Sequence, residues 1–216
     1  MKHIIAALLC LASPLMSTPA KAGPIAFDGA WEQQRFSLFQ QNRYGFAGNR
    51  LDVASDGAVS LTYRALAPSD WGSASARWDW SVSEGVGPTD LRQKGGDDRN
   101  LAMYFVFLPE AEAQALQGAP VRRLLRNDAV RVLIYVWGGA HDRGDILSSP
   151  YLGARGKTVV LRPSGTGSAS ENVNLSGDYA RAFGGSKGAL VGIAVSADSD
   201  DTDSRIRASI SGLRID

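Results

Sequence analysis

The stretch that most constrains the fold is Leu101-Ala102-Met103-Tyr104-Phe105-Val106-Phe107-Leu108, eight apolar and aromatic residues without a breaker. A run this short and this rich in aromatics reads as a β-strand buried on both faces. Immediately before it stands Lys94-Gly95-Gly96-Asp97-Asp98-Arg99. The glycine pair lets the backbone turn sharply, and two carboxylates with flanking bases then sit at the mouth of a buried strand. Such charge serves either as a structural ion-pair network or as an acid/base or ligand-binding site, because neighbouring carboxylates can hold different protonation states. Lys94, Arg99 and Arg77 are the expected partners of Asp97 and Asp98.

The rest of the chain punctuates in the same way. Ala76, Trp78, Trp80 and Val82 alternate with Ser75, Arg77, Asp79 and Ser81, which predicts a half-buried strand with a polar face. Leu51–Ala54 and Val59–Tyr63, separated by Ser55-Asp56-Gly57, read as a hairpin. Further strands are expected over 130–137, 157–162 and 172–175, with a closing hairpin of 190–197 and 205–215. In its last strand the apolar phase slips by one residue, which predicts a bulge at Ser211-Gly212. Pro109 opens a helical segment over 110–116, a basic turn follows at 121–126, and Asp178–Phe183 with Gly184 reads as a capped helical turn. About eight to ten antiparallel strands, glycine-rich turns and one or two short helices predict an all-β, jelly-roll-like β-sandwich.

Residues 1–22 read as a signal peptide: Lys2 and His3 start it, Ile4 to Leu11 form its apolar stretch, and Ala20-Lys21-Ala22 gives the cleavage pattern. The apolar stretch is too short to anchor in a bilayer, so residues 23–216 are expected as one periplasmic or secreted domain. Cys10, the only cysteine, falls inside the apolar stretch, where Leu9 stands in place of the small residue a lipid-attachment signal wants. On this reading the mature chain has no thiol, which excludes disulfides, thiolate metal sites and a cysteine nucleophile. Lys+Arg 23 against Asp+Glu 22 gives +1, and losing Lys2 and Lys21 leaves 21 bases against 22 acids, a net −1. No basic surplus points to nucleic acid or to an anionic membrane surface.

Three groups carry candidate chemistry. Asp198, Asp200, Asp201 and Asp203 offer the oxygen ligands calcium prefers, with Asp198, Asp200 and Asp203 as candidate ligands. The spacing lacks the glycine and terminal glutamate of an EF-hand, and a turn stabilised by its own aspartates is the competing reading. Tyr135, Trp137, His141 and Asp142 gather near one strand end. Together with Arg77 and Asp97 the first three would suit a saccharide, which needs a flat apolar platform and bidentate polar partners; the competing reading of Tyr135 and Trp137 is a second core layer, since Tyr and Trp are so often mostly buried. Past residue 22, His141 is the only histidine, so a histidine zinc site is excluded, and no Gly-x-Ser-x-Gly supplies a nucleophile.

Trp78-Asp79-Trp80, Lys94-x-Gly96-Asp97-Asp98, Tyr135-Val136-Trp137, and Asp178-Tyr179 with Phe183-Gly184 followed by Asp198-Ser199-Asp200-x-Thr202 form an ordered set. In that order they resemble the bacterial secreted family called domain of unknown function 3047, over nearly all of residues 23–216. Asp201 departs from the pattern, which has Asn there. The resemblance implies a periplasmic β-sandwich of jelly-roll character and brings no activity. The leading expectation is a non-catalytic module that binds a saccharide or envelope glycan. One alternative is a carbohydrate-active hydrolase or lyase using carboxylates among Asp79, Asp97, Asp98 and Asp142; another is a structural envelope protein with a protein partner.

Overall fold

The computed structural model describes residues 23–36 and 40–216. The proposed signal peptide, with Cys10, lies outside the described residues. Two sheets stack face to face, with strands numbered in chain order. One sheet runs β2 (Glu32–Arg35), β5 (Val59–Ala65), β12 (Ala189–Asp198), β7 (Arg99–Leu108), β8 (Arg131–Trp137), β10 (Gly153–Arg162) and β9 (Ile146–Ser149). The other runs β11 (Gly167–Asn174), β6 (Ser75–Glu84), β13 (Arg205–Ile215), β4 (Arg50–Asp56) and β3 (Arg43–Phe46), with β1 (Gly23–Pro24) paired to the end of β13. The architecture is the expected jelly-roll-like sandwich.

The expected central strand is β7, with Leu101–Met103 and Phe105–Leu108 buried on both faces and β12 and β8 as its neighbours. Alternation in β6 turns Ala76, Trp78, Trp80 and Val82 inward and leaves Arg77 and Asp79 exposed. Trp78 lies 6.0 Å from Phe105 and 5.9 Å from Tyr135, ring centre to centre, and Trp80 lies 5.6 Å from Trp137. Aromatics of this size bury about 150–250 Å² each, so this belt holds the two sheets together. The bulge in β13 is present: between Ser211 and Arg214 the register against β6 shifts, and Gly212 takes φ 62, a conformation that favours glycine.

Three expectations about strand pairing change. β4 and β5 do not form a hairpin; the chain crosses from one sheet to the other at Asp56-Gly57-Ala58. β12 and β13 likewise belong to opposite sheets. Both alternating pairs have one face to bury, and stacking across the core buries it as well as pairing edge to edge does. The two crossings run side by side, joined by Gly57 N–H to the Ser204 carbonyl at 3.0 Å and Ser199 N–H to the Ala58 carbonyl at 3.2 Å. The third change is that the strands are not all antiparallel. The chain leaves β8, descends along β9 at the sheet edge and returns as β10 between them, parallel to β8. Helices α1 (Glu110–Ala115) and α2 (Val121–Arg126) follow Pro109 and Pro120 as expected. α3 (Leu175–Phe183) starts earlier than the Asp178 expected, because Asn174 caps it by accepting from Gly177 N–H at 2.9 Å.

Candidate functional site

The side-by-side crossings place the acidic 198–203 segment against the entrance of β7. There Asp97 and Asp98 are buried, as is Asp198. Arg99 donates from Nη1 to Asp97 Oδ2 at 2.8 Å and pairs with Asp198 Oδ2 at 3.0 Å, while its Nη2 donates to the Tyr104 hydroxyl at 2.9 Å. Burial works against the Arg99 charge, yet Tyr104, Asp198 and Asp97 together hold its proton more tightly than usual. Burial also pushes the Asp198 carboxyl up to about 8; Arg99 pulls it down, and the carboxylates of Asp200 and Asp98 add to the rise. Asp98 has no basic partner among the described residues. Its Oδ2 accepts from the Thr202 N–H at 2.8 Å and the Thr202 hydroxyl at 2.5 Å, so the β7 entrance is stitched to the acidic segment. Oxygens of Asp98, Asp198 and Asp200 lie within 4.8 Å of one another, a spacing that could hold a metal ion.

The expected site residues do not assemble. Arg99 partners Asp97 as anticipated, but Lys94 stands over the Tyr151 ring at 5.5 Å and Arg77 is exposed on the other sheet. Tyr135 and Trp137 are corrected from a sugar platform to core: both are buried between the sheets, and the Tyr135 hydroxyl donates to Asp178 Oδ2 at 2.6 Å. They share a strand face with Leu133, in alternation with Ile134 and Val136, and that face meets Trp78 and Trp80, so β8 has no solvent face to offer. His141 is tied down, its Nε2 3.1 Å from Asp90 Oδ1 and accepting from Leu91 N–H. The four candidate catalytic carboxylates are dispersed: Asp79 accepts from the Ser170 hydroxyl on the outer face of the six-stranded sheet, Asp97 and Asp98 are buried at the β7 entrance, and Asp142 is exposed in the loop after β8. Of the expected metal ligands, Asp198 and Asp200 belong to the three-oxygen group, Asp203 does not, and Asp98 takes its place.

Sequence reasoning missed two further features. Tyr151 donates to Asp97 Oδ1 at 3.2 Å from 54 positions away, and no local pattern signals a contact at that range. Glu171, which falls on the inward face of β11, is buried and accepts from Arg162 at 2.8 Å and Trp80 Nε1 at 3.2 Å; only its inward register position marks it.

The outer face of the six-stranded sheet is different in kind. A shallow open groove of about 450 Å³ runs across it, lined by Arg43, Arg50, Asp52, Ser81, Ser83 and Arg207 among others. Asp56 holds Arg43 and Arg207 at 2.8 Å each, and Arg50 Nε donates to Asp52 Oδ1 at 2.7 Å. The groove therefore presents three guanidinium groups and the Asp52 carboxylate together, with the Ser81 hydroxyl bonded to Ser209 at 2.9 Å and that of Ser83 donating to the Arg207 carbonyl at 3.1 Å.

The family described as "Protein of unknown function (DUF3047)" matches residues 29–214. The chain belongs to that family. Among curated proteins nothing matches. Solved structures of similar shape include the xyloglucanase domain of NopAA, a type three effector from Sinorhizobium fredii, in complex with cellobiose. It is 10% identical, with 93% of this chain and 99% of that one covered at a TM-score of 0.46. The family 11 xylanase from Neocallimastix patriciarum is 12% identical, covering 86% and 99%, with a TM-score of 0.41. The family 11 carbohydrate-binding module from Clostridium thermocellum, in complex with a β-1,3-1,4-mixed-linked tetrasaccharide, is 9% identical, covering 94% and 92%, with a TM-score of 0.34. None of these three likenesses reaches a TM-score of 0.5, so they leave the function of this DUF3047 member to its own residues.

Proposed function

We propose that this protein is a secreted, periplasmic module that binds a saccharide or envelope glycan without chemically altering it, through the groove on the six-stranded sheet. The observation that carries the reading is the groove's lining, in which the exposed Arg50 and Asp52 stand beside Arg43 and Arg207, with the Ser83 hydroxyl, which donates to the Arg207 carbonyl at 3.1 Å, as a further acceptor. Neighbouring sugar hydroxyls each donate and accept, and planar guanidinium and carboxylate groups meet them two at a time. Arg50 uses only Nε on Asp52, leaving its two terminal nitrogens to donate elsewhere. Secretion is supported by the leader-like composition of residues 1–22, and among the described residues no helix is long and apolar enough to cross a membrane.

The two alternatives draw less support. A hydrolase needs two carboxyl groups facing each other about 5–10 Å apart across the substrate, and the four candidates are dispersed over three places. A protein partner would have little apolar surface to bury, since among the described residues Phe36 and Tyr151 are the large hydrophobics left exposed. Titration calorimetry against a panel of soluble envelope and plant polysaccharides tests the proposal. Binding by the wild type and its loss in Arg50→Ala and Asp52→Ala is the expected result; unchanged binding in both variants, or no binding to any of the panel, contradicts it.

A further inference from the structure

We propose that Asp98, Asp198 and Asp200 form a calcium site that locks the 198–203 crossing onto the entrance of β7. The three carboxylates each offer an oxygen within 4.8 Å of the others, a spread that one ion with ligands at about 2.3–2.6 Å can span. All three ligand atoms are oxygens from carboxylates, the donor set of a hard cation, with neither histidine nor cysteine among them.

A second observation, independent of the clustering, points to a ligand. Asp198 is only 4% exposed, and Arg99 takes its Oδ2, yet Oδ1 has no hydrogen-bond partner. Among the described residues four buried side-chain polar atoms are left without a partner, and Asp198 Oδ1 is the one carried by an ionisable group. A buried polar atom left without a partner is costly, so this oxygen stands open to an ion that would satisfy it. The local charge balance agrees. Asp97, Asp98, Asp198 and Asp200 converge where Arg99 is the only base paired with any of them among the described residues, and it pairs with Asp97 and Asp198 alone. Asp98 is held in place by Thr202, and Asp198 by Arg99, so two of the three ligands are already fixed by other contacts. The third, Asp200, is exposed and gives an ion its way in.

The site is separate from the groove and does not depend on the saccharide reading. It is also not the Asp198, Asp200 and Asp203 triplet of the linear sequence. Asp203 takes φ 48 at the turn beside Gly57 and falls outside the group, whereas Asp98 joins it from a hundred residues away.

The test is a melting curve of chelator-treated protein titrated with calcium chloride, with calorimetry for stoichiometry. One ion per chain and a rise in Tm of about 5–10 °C at hundredfold excess over Kd are expected. Asp200→Asn, an exposed change that leaves the buried contacts in place, is expected to melt as the chelated wild type and to lose most of that rise. Asp203→Asn is expected to keep it. A wild-type curve that ignores calcium overturns the proposal. Equal loss in Asp200→Asn and Asp203→Asn overturns it too, by showing only diffuse attraction to an acidic turn.

Discussion

Two arginine–aspartate pairs of nearly the same length divide this molecule into architecture and surface. Arg99 meets Asp97 at 2.8 Å with side chains 11% and 4% exposed; Arg50 meets Asp52 at 2.7 Å with side chains 54% and 57% exposed. Distance does not distinguish them, and burial does. Away from water a charge must find its partners within the protein, so Arg99 is committed to Asp97, Asp198 and Tyr104. In water the same pairing is worth little and is easily exchanged for another polar partner. The buried pair fixes the join between the sheets' crossings, and the exposed pair remains available to a ligand.

The contrast breaks most visibly at Arg99. Arg99→Ala leaves Asp97 and Asp198 buried without a base, which is expected to cost about 3–5 kcal/mol, or roughly 6–20 °C in Tm for a chain of this size. A melting temperature within two degrees of wild type would erase the distinction. Calcium acts on the same join, and its expected rise in Tm should shrink in Arg99→Ala, where Asp198 is no longer held.

An intermediate effect is expected at Tyr135, buried like Arg99 but neutral. Tyr135→Phe removes the bond to Asp178 and is expected to cost about 1.5 kcal/mol by chemical denaturation. Burial first, and then Asp178, hold its phenol well above 10, the ordinary value. The folded state thus keeps a proton that the unfolded chain gives up near pH 10. That contribution is intact below pH 10 and is lost as pH rises beyond it. Unfolding curves from pH 9 to 11 should show a steeper loss for the wild type than for Tyr135→Phe.

How far the sequence foretold these regions follows from the same physics. The β7 strand was legible because eight unbroken apolar residues have few other places to go, and the inward Trp78 and Trp80 because alternation has a period of two. The bulge at Gly212 showed as a slip in that period. What sequence alone could not decide was the partner of an alternating strand. β4 and β5, and β12 and β13, carry hairpin-like patterns, yet their faces meet across the core. The same blindness hid the site. Asp98 and Thr202 are bonded across 104 positions, so the acidic segment looked like a metal loop complete in itself, with Asp203 where Asp98 stands. Tyr135 and Trp137 were readable as either platform or core, because aromatics pack and bind through the same surface, and only the second sheet, whose Trp78 and Trp80 stand against them, decided it.

The smallest expected effect on stability is at the exposed pair. Arg50→Ala and Asp52→Ala should each change stability by no more than about 0.5 kcal/mol, read as an unchanged denaturation midpoint. A fall comparable with that of Arg99→Ala would mean that the groove face is structural.

The most direct test of the division between architecture and binding surface measures Tm and saccharide affinity together in Arg50→Ala and Asp97→Ala. The expected result is a double dissociation: Arg50→Ala keeps its melting temperature and loses affinity, while Asp97→Ala melts much lower and, held below its transition, binds as the wild type does. The reverse pattern, with Asp97→Ala fully stable but unable to bind, would move the binding site to the β7 entrance and contradict the account.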